Sequence, residues 1–261
     1  MILEDKKIYH TLRIAAAMCF IGHGAFGIIT KEIWCNYFAV FGIGHHMAYV
    51  LMPWLGTFDI CMGLSLLVYP TWAAVGWLVV WGAVTALLRP MSGEPFAEFV
   101  ERAGNFGAPL ILLILYSGGG TEFKWFAKID PVKEFNKDNF SVAVKCLKVI
   151  VFLLIIGHAW LNLIEKKGLM GQYASLGFSN PAHVAQIVGI FEALLALSVL
   201  IKPVRPVVFA LLVWKMSTEL LYPHWELFEW IERGGSYGTI LALWFALPRY
   251  TISVRNRLVT T

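Results

Sequence analysis

Charge is scarce in this chain. Only 15% of its 261 residues are Asp, Glu, Lys or Arg, against about 25% in an average soluble domain. The apolar fraction is 58%. A chain of this length has too little interior to hide so much apolar surface from water, so lipid must take part of it. Basic clusters are lacking too. The net charge of +4 comes from residues scattered among loops, which excludes a nucleic-acid binder. The four cysteines, Cys19, Cys35, Cys61 and Cys146, include no C-x-x-C pair. That argues against a zinc site and against direct dithiol exchange, and leaves each as a small buried apolar residue with no structural disulfide expected. The first apolar run lacks a small-residue cleavage site and is read as a retained helix.

Long apolar runs are plentiful. Eight reach or approach the length that crosses a bilayer: about 11–30, 47–69, 71–89, 97–116, 144–164, 182–201, 204–222 and 228–247. The fourth and eighth open on glutamates and an arginine. Pro and Gly punctuate the breaks, as in "VYPTW" and "IKPVRP". Residues 117–143 form the one long polar segment and are expected to be a linker.

Two halves of the chain repeat one another across that linker. Gly22-His23 matches Gly157-His158. "LGTFDICMGLSLLVYP" matches "VGIFEALLALSVLIKP", so Asp59 matches Glu192. Trp81 and Thr85 match Trp214 and Thr218, and "EFVERAGNFG" matches "EWIERGGSYG", so Glu101-Arg102 matches Glu232-Arg233. The expected fold is an all-α integral membrane protein of eight transmembrane helices, arranged as two parallel four-helix repeats over residues 1–116 and 144–261. An even number of spans per unit makes the repeats parallel, so matching residues share a depth. Fourteen Lys and Arg in the termini, the linker and the 202–205 turn, against six in the opposite loops, place both termini in the cytoplasm of the cell's inner membrane.

The polar residues inside these runs are the candidate site. Asp59 lies about 18 Å from its helix end at 1.5 Å per residue, near the bilayer middle. An ionised acid there costs at least about 2.5–3.5 kcal/mol, so it must be paired or protonated. Asp59 with Arg102, and Glu192 with Arg233, are the expected ion pairs. His23 and His158 are each expected near their own acid, where an imidazole N–H and a carboxylate satisfy each other. Their glycine neighbours also admit a flat cofactor edge, so a bis-His haem b ligated by both is the alternative, and no other metal site is expected. The repeats differ elsewhere. Lys215 and Glu219, one turn apart, face Gly82 and Ala86 in the alignment, and Arg89 faces Tyr222. This asymmetry implies that one copy works harder than the other, or that a partner docks on one side. His45, His46, His183 and His224 are expected near the outer surface.

"LRIAAAMCFIGHGAFGI" followed by "LGTFDICMGLSLLVYPTW" resembles the DoxX family of four-helix membrane proteins. Arg13, Gly22-His23-Gly24 and Lys31 fit that family's first helix. Gly56, Asp59, Gly63 and Leu64 fit its second. The second copy keeps His158, Lys166, Gly189 and Glu192. The Glu-Arg-x-Gly-x-aromatic-Gly element lies outside the family pattern. The resemblance implies a membrane subunit of a quinone-linked redox system, akin to that of thiosulfate:quinone oxidoreductase, with a quinone as cofactor and other membrane or periplasmic redox subunits as partners. It supplies no catalytic residues. Two other readings stand beside it: a non-enzymatic protein that binds or transports a small solute, and a structural subunit of a larger membrane complex. A quinone site should be a lipid-open pocket holding His and acid. A transporter should have a central path, and a structural subunit should have dry, fully paired polar groups.

Overall fold

The computed structural model describes residues 2–117, 125–129, 136–221 and 227–248. Residues 118–124 and 130–135 of the 117–143 segment, residues 222–226 with Tyr222 and His224, and the end from 249 lie outside the described residues.

The described chain is all-helical, and five of its helices are long and apolar enough to cross a membrane. These are α1 (Ile2–Ile28), α3 (His45–Val68), α4 (Trp72–Met91), α7 (Lys137–Leu163) and α9 (Pro181–Ile201). The rest are shorter: α2 (Trp34–Ala39), α5 (Ala97–Glu101), α6 (Ala103–Tyr116), α8 (Lys167–Ser175), α10 (Arg205–Leu220), α11 (Leu227–Glu232) and α12 (Gly234–Ala246).

Local signals set the boundaries. The Thr71 side chain accepts from the Ala74 N–H at 3.2 Å and starts α4. Asn180 does the same for His183 ahead of Pro181, at the head of α9. Asn136 caps α7, which therefore starts at Lys137 rather than at the expected 144. Two expected spans are not single helices. The 97–116 run breaks at Arg102 into α5 and α6, and the 228–247 run breaks at Arg233 into α11 and α12. Each Arg sits at the break with ψ near zero, 14° and 1° respectively. Broken helices expose backbone polar groups inside a membrane protein, which is tolerated where the segment is buried in protein or lines a cavity.

Burial is the inverse of a soluble protein's. Trp54, Val68, Val80, Leu194 and Ile201 point outward and are each at least 60% exposed, while Asp59, Glu192 and Lys215 are fully buried. Lipid rather than water suits such an exterior.

Helices of the two halves interleave. α1 packs on α3 and also on α11 and α12, while α7 packs on α9 and also on α5 and α6. Glycines permit the cross-half contacts. A methyl group at Gly22 would collide with the Glu232 backbone, and one at Gly157 with the Glu101 backbone. On the inner seam, Gly104 lies so close to Gly235 that an added carbon would sit 2.8 Å from its carbonyl carbon.

Candidate functional site: two histidine–carboxylate triads and one cavity

α1 delivers His23 from a turn flanked by glycines, α3 delivers Asp59, and α4 delivers Trp81. His23 Nδ1 lies 2.7 Å from Asp59 Oδ2, and Trp81 Nε1 donates to Asp59 Oδ1 at 2.8 Å. The arrangement recurs on α7, α9 and α10. His158 Nδ1 lies 2.7 Å from Glu192 Oε2, and Trp214 Nε1 donates to Glu192 Oε1 at 2.8 Å. Each buried acid thus has both oxygens engaged by its own half. The tryptophans' role is the part that sequence reading missed. Their repeated spacing of 22 residues from the acid was the available signal.

The expected Asp59–Arg102 and Glu192–Arg233 ion pairs do not form. Arg102 sits at a helix break and folds back on Glu98, with Glu101 at 3.4 Å. Arg233 reaches Glu101 at 3.0 Å and Glu219 at 3.7 Å. Lys215, fully buried, bonds Glu219 at 2.7 Å and Glu101 at 3.3 Å. Arg89 holds Glu94 at 3.1 Å and Glu98 at 3.6 Å. The arginines therefore serve the glutamates of the broken helices, one layer away from the triads. Lysines clasp the halves together in that layer: Lys31 pairs with Glu229 at 2.6 Å, and Lys166 pairs with Glu98.

The surroundings of the two triads differ. Around His158 further polar groups join the triad. Tyr173 donates to Asn162 Oδ1 at 2.6 Å, and Asn162 Nδ2 reaches Glu192 Oε2 at 3.4 Å. The space left beside this triad is about 20 Å³. Around His23 the residues aligned with Asn162 and Tyr173 are Gly27 and Phe38, and those aligned with Lys215 and Glu219 are Gly82 and Ala86. A cavity of about 110 Å³ lies beside this triad, with Phe38 and Ala86 in its lining, while Gly27 and Gly82 pack against the backbones of α3 and α6. His23, Arg89, Arg102, Asn105 and Glu232 form its polar end, and Trp34, Phe38, Leu55 and Leu88 its apolar walls. The Trp34 ring lies against the His23 ring, with centroids 4.6 Å apart. Tyr37, on the short helix α2, also lines the cavity and donates to Glu94 at 2.6 Å. Burial pushes its phenol above the ordinary range, so it stays a neutral donor.

Trp34, Arg89, Arg102 and Glu232 also line a second, charged space of about 160 Å³, where Lys31, Lys166 and Arg233 of both halves converge. The first cavity is thus apolar on one side and shares Trp34, Arg89, Arg102 and Glu232 with a charged space on the other.

The two histidines line different cavities, and each spends one ring nitrogen on its own carboxylate. One haem between them has no common space. His45, His46 and His183 are exposed on the faces of their helices. Compared with known proteins, the chain matches no family, no curated protein and no solved structure.

Proposed function

We propose that this chain is a DoxX-like membrane subunit of a quinone-linked redox system, built from two parallel copies of a four-helix unit, and that only the first copy works as a binding site. The cavity beside the His23–Asp59–Trp81 triad carries this reading. It combines a histidine–acid pair, aromatic and aliphatic walls and a charged mouth, the mixture that holds a planar ring by its polar edge and its apolar face. An apolar cavity of about 150 Å³ accepts benzene. The present space, about 110 Å³, is smaller than that, so a substituted ring would enter only as the lining side chains, the exposed Phe41 among them, move aside.

Duplication is supported by backbone detail as well as by motif order. Thr30 and Glu165, 135 residues apart, share a left-handed backbone, with φ of 53° and 54°. Gly42 and Gly177, at the same offset, have φ of 72° and 87°. The two units interleave through their first and broken helices, with eight spans, both termini cytoplasmic, and the Glu-Arg layer near the outer face of the inner membrane. Redox subunits in the membrane or periplasm are the proposed partners.

A transport path along the centre is disfavoured by the Gly104–Gly235 contact, which closes the seam between halves. A purely structural role fits the tightly packed second triad well and the first one, beside its larger cavity, poorly.

The test is extraction and spectroscopy of the purified protein. The expected result is one lipid-soluble quinone per chain, lost in His23→Ala and kept in His158→Ala. A Soret band lost in both variants, or no binding of any quinone supplied at saturation, would overturn the reading.

A further inference from the structure

Resting on the quinone reading, we propose a specificity: the first cavity binds the reduced hydroquinone in preference to the oxidised quinone, with Glu232 and His23 as the two groups that receive its hydroxyls.

The argument is a count of donors and acceptors at the cavity's polar end. Asp59 is fully buried and accepts from two sides, at 2.7 Å from His23 and 2.8 Å from Trp81. In the proposed tautomer, Nδ1 gives its proton to this carboxylate and the imidazole has its lone pair on Nε2. That nitrogen makes no other hydrogen bond with a described residue, and His23 lines the cavity. Glu232 is the second acceptor. It is 8% exposed, lines both the cavity and the charged space, and forms no hydrogen bond or ion pair with a described residue. Its aligned counterpart Glu101 is held by Arg233, Lys215 and Arg102.

The arginines that border the same cavity bond other glutamates, and with His23 they act on Glu232 only through space. Arg89 faces Glu94 and Glu98, and Arg102 faces Glu98 and Glu101. A buried carboxylate with no bonded donor, beside a half-buried imidazole, is costly until something supplies it. A quinone offers two carbonyl acceptors and no donor. A hydroquinone offers two hydroxyl donors, which match the two open acceptors. A site that needs a hydroxyl rejects an analogue lacking it, because its own polar groups then stay unpaired.

The preference can be read directly. The full chain is placed in lipid nanodiscs under anaerobic conditions and titrated calorimetrically with a short-chain benzohydroquinone and with the matching benzoquinone. The expected result is at least about tenfold tighter binding of the reduced form, which raises the midpoint potential of the bound couple by roughly 30 mV. Glu232→Gln adds a donor amide at the same place. It should weaken hydroquinone binding and leave quinone binding equal or tighter, a reversal that a loss of folding does not produce. Should that variant fail to fold, the wild-type ratio alone decides. Equal affinity for the two forms, or tighter quinone binding, overturns the specificity and leaves the quinone site standing. Binding of neither form removes the site itself, and the specificity with it.

Discussion

Arg233 donates to Glu101 at 3.0 Å across the two halves of the chain, and the reciprocal pair, Arg102 with Glu232, is not formed. The halves agree in the triads, the lysine clasps and the glycine contacts, then diverge here. The reason is local. Fully buried Lys215 draws Glu101 and Glu219 to itself in the second half, while the aligned Gly82 and Ala86 supply no charge in the first. Arg102 has Glu98 within reach on its own helix turn and takes it. Glu232 is left facing the cavity.

Lys215 is the keystone of the second site. Lys215→Met should leave Glu101 and Glu219 buried short of a partner and cost about 3–5 kcal/mol. Adding Glu219→Leu should recover part of that loss, because the pair is then replaced by apolar volume. Thermal unfolding in detergent measures both, and equal loss in the single and double variants would refute the pairing.

Filling the first cavity should abolish ligand binding while the fold survives. Ala86 is buried and lines that space. Ala86→Met puts a flexible side chain there, with a penalty of about 1–3 kcal/mol if it overfills. Gly82 is the poorer choice, since a methyl group there would sit 3.2 Å from the Asn105 carbonyl oxygen. Quinone titration of Ala86→Met checks the outcome, and unchanged affinity would move the site elsewhere.

The polar network at His158 predicts a stability effect without a binding effect. Tyr173→Phe removes the donor to Asn162 Oδ1. A buried acceptor left unpaired costs about 1–3 kcal/mol. Quinone affinity should not change. A variant as stable as the wild type would mean that the hydroxyl is dispensable.

Gly22→Ala and Gly157→Ala should be damaging to a similar degree, because each methyl group meets the backbone of a broken helix from the other half. Backbone cannot rotate away as a side chain does, so the expected loss exceeds the usual overpacking cost of about 1–3 kcal/mol. Melting temperatures of the two variants test this. A tolerated substitution at both would argue against the interleaved packing.

Orientation is checked by labelling. Ser117 and Ser175 are both exposed. In intact cells a membrane-impermeant thiol reagent should reach Ser175→Cys and not Ser117→Cys, which should react only after the membrane is opened. The reverse pattern would invert the topology.

The sequence by itself determined that this is a helical chain for lipid, because 58% apolar content and runs of about 20 residues leave no other place for the surface to go. It also pointed to His23 and His158 beside acids, since an unpaired polar group in such a run is costly, and the contacts with Asp59 and Glu192 form. Spacing gives depth along a helix, and depth brought His23 to Asp59 and His158 to Glu192. What spacing does not give is the direction each residue faces. Helices that are apolar on nearly every side carry no strong face to orient them, so the choice of Trp81 over Arg102 as Asp59's second partner belonged to the packing. The breaks at Arg102 and Arg233 were likewise settled in three dimensions, where the arginines gain buried glutamates from both halves. The cavity is the clearest case. His23, Phe38, Ala86 and Glu232 come from both ends of the sequence, and only the folded bundle gathers them around one space.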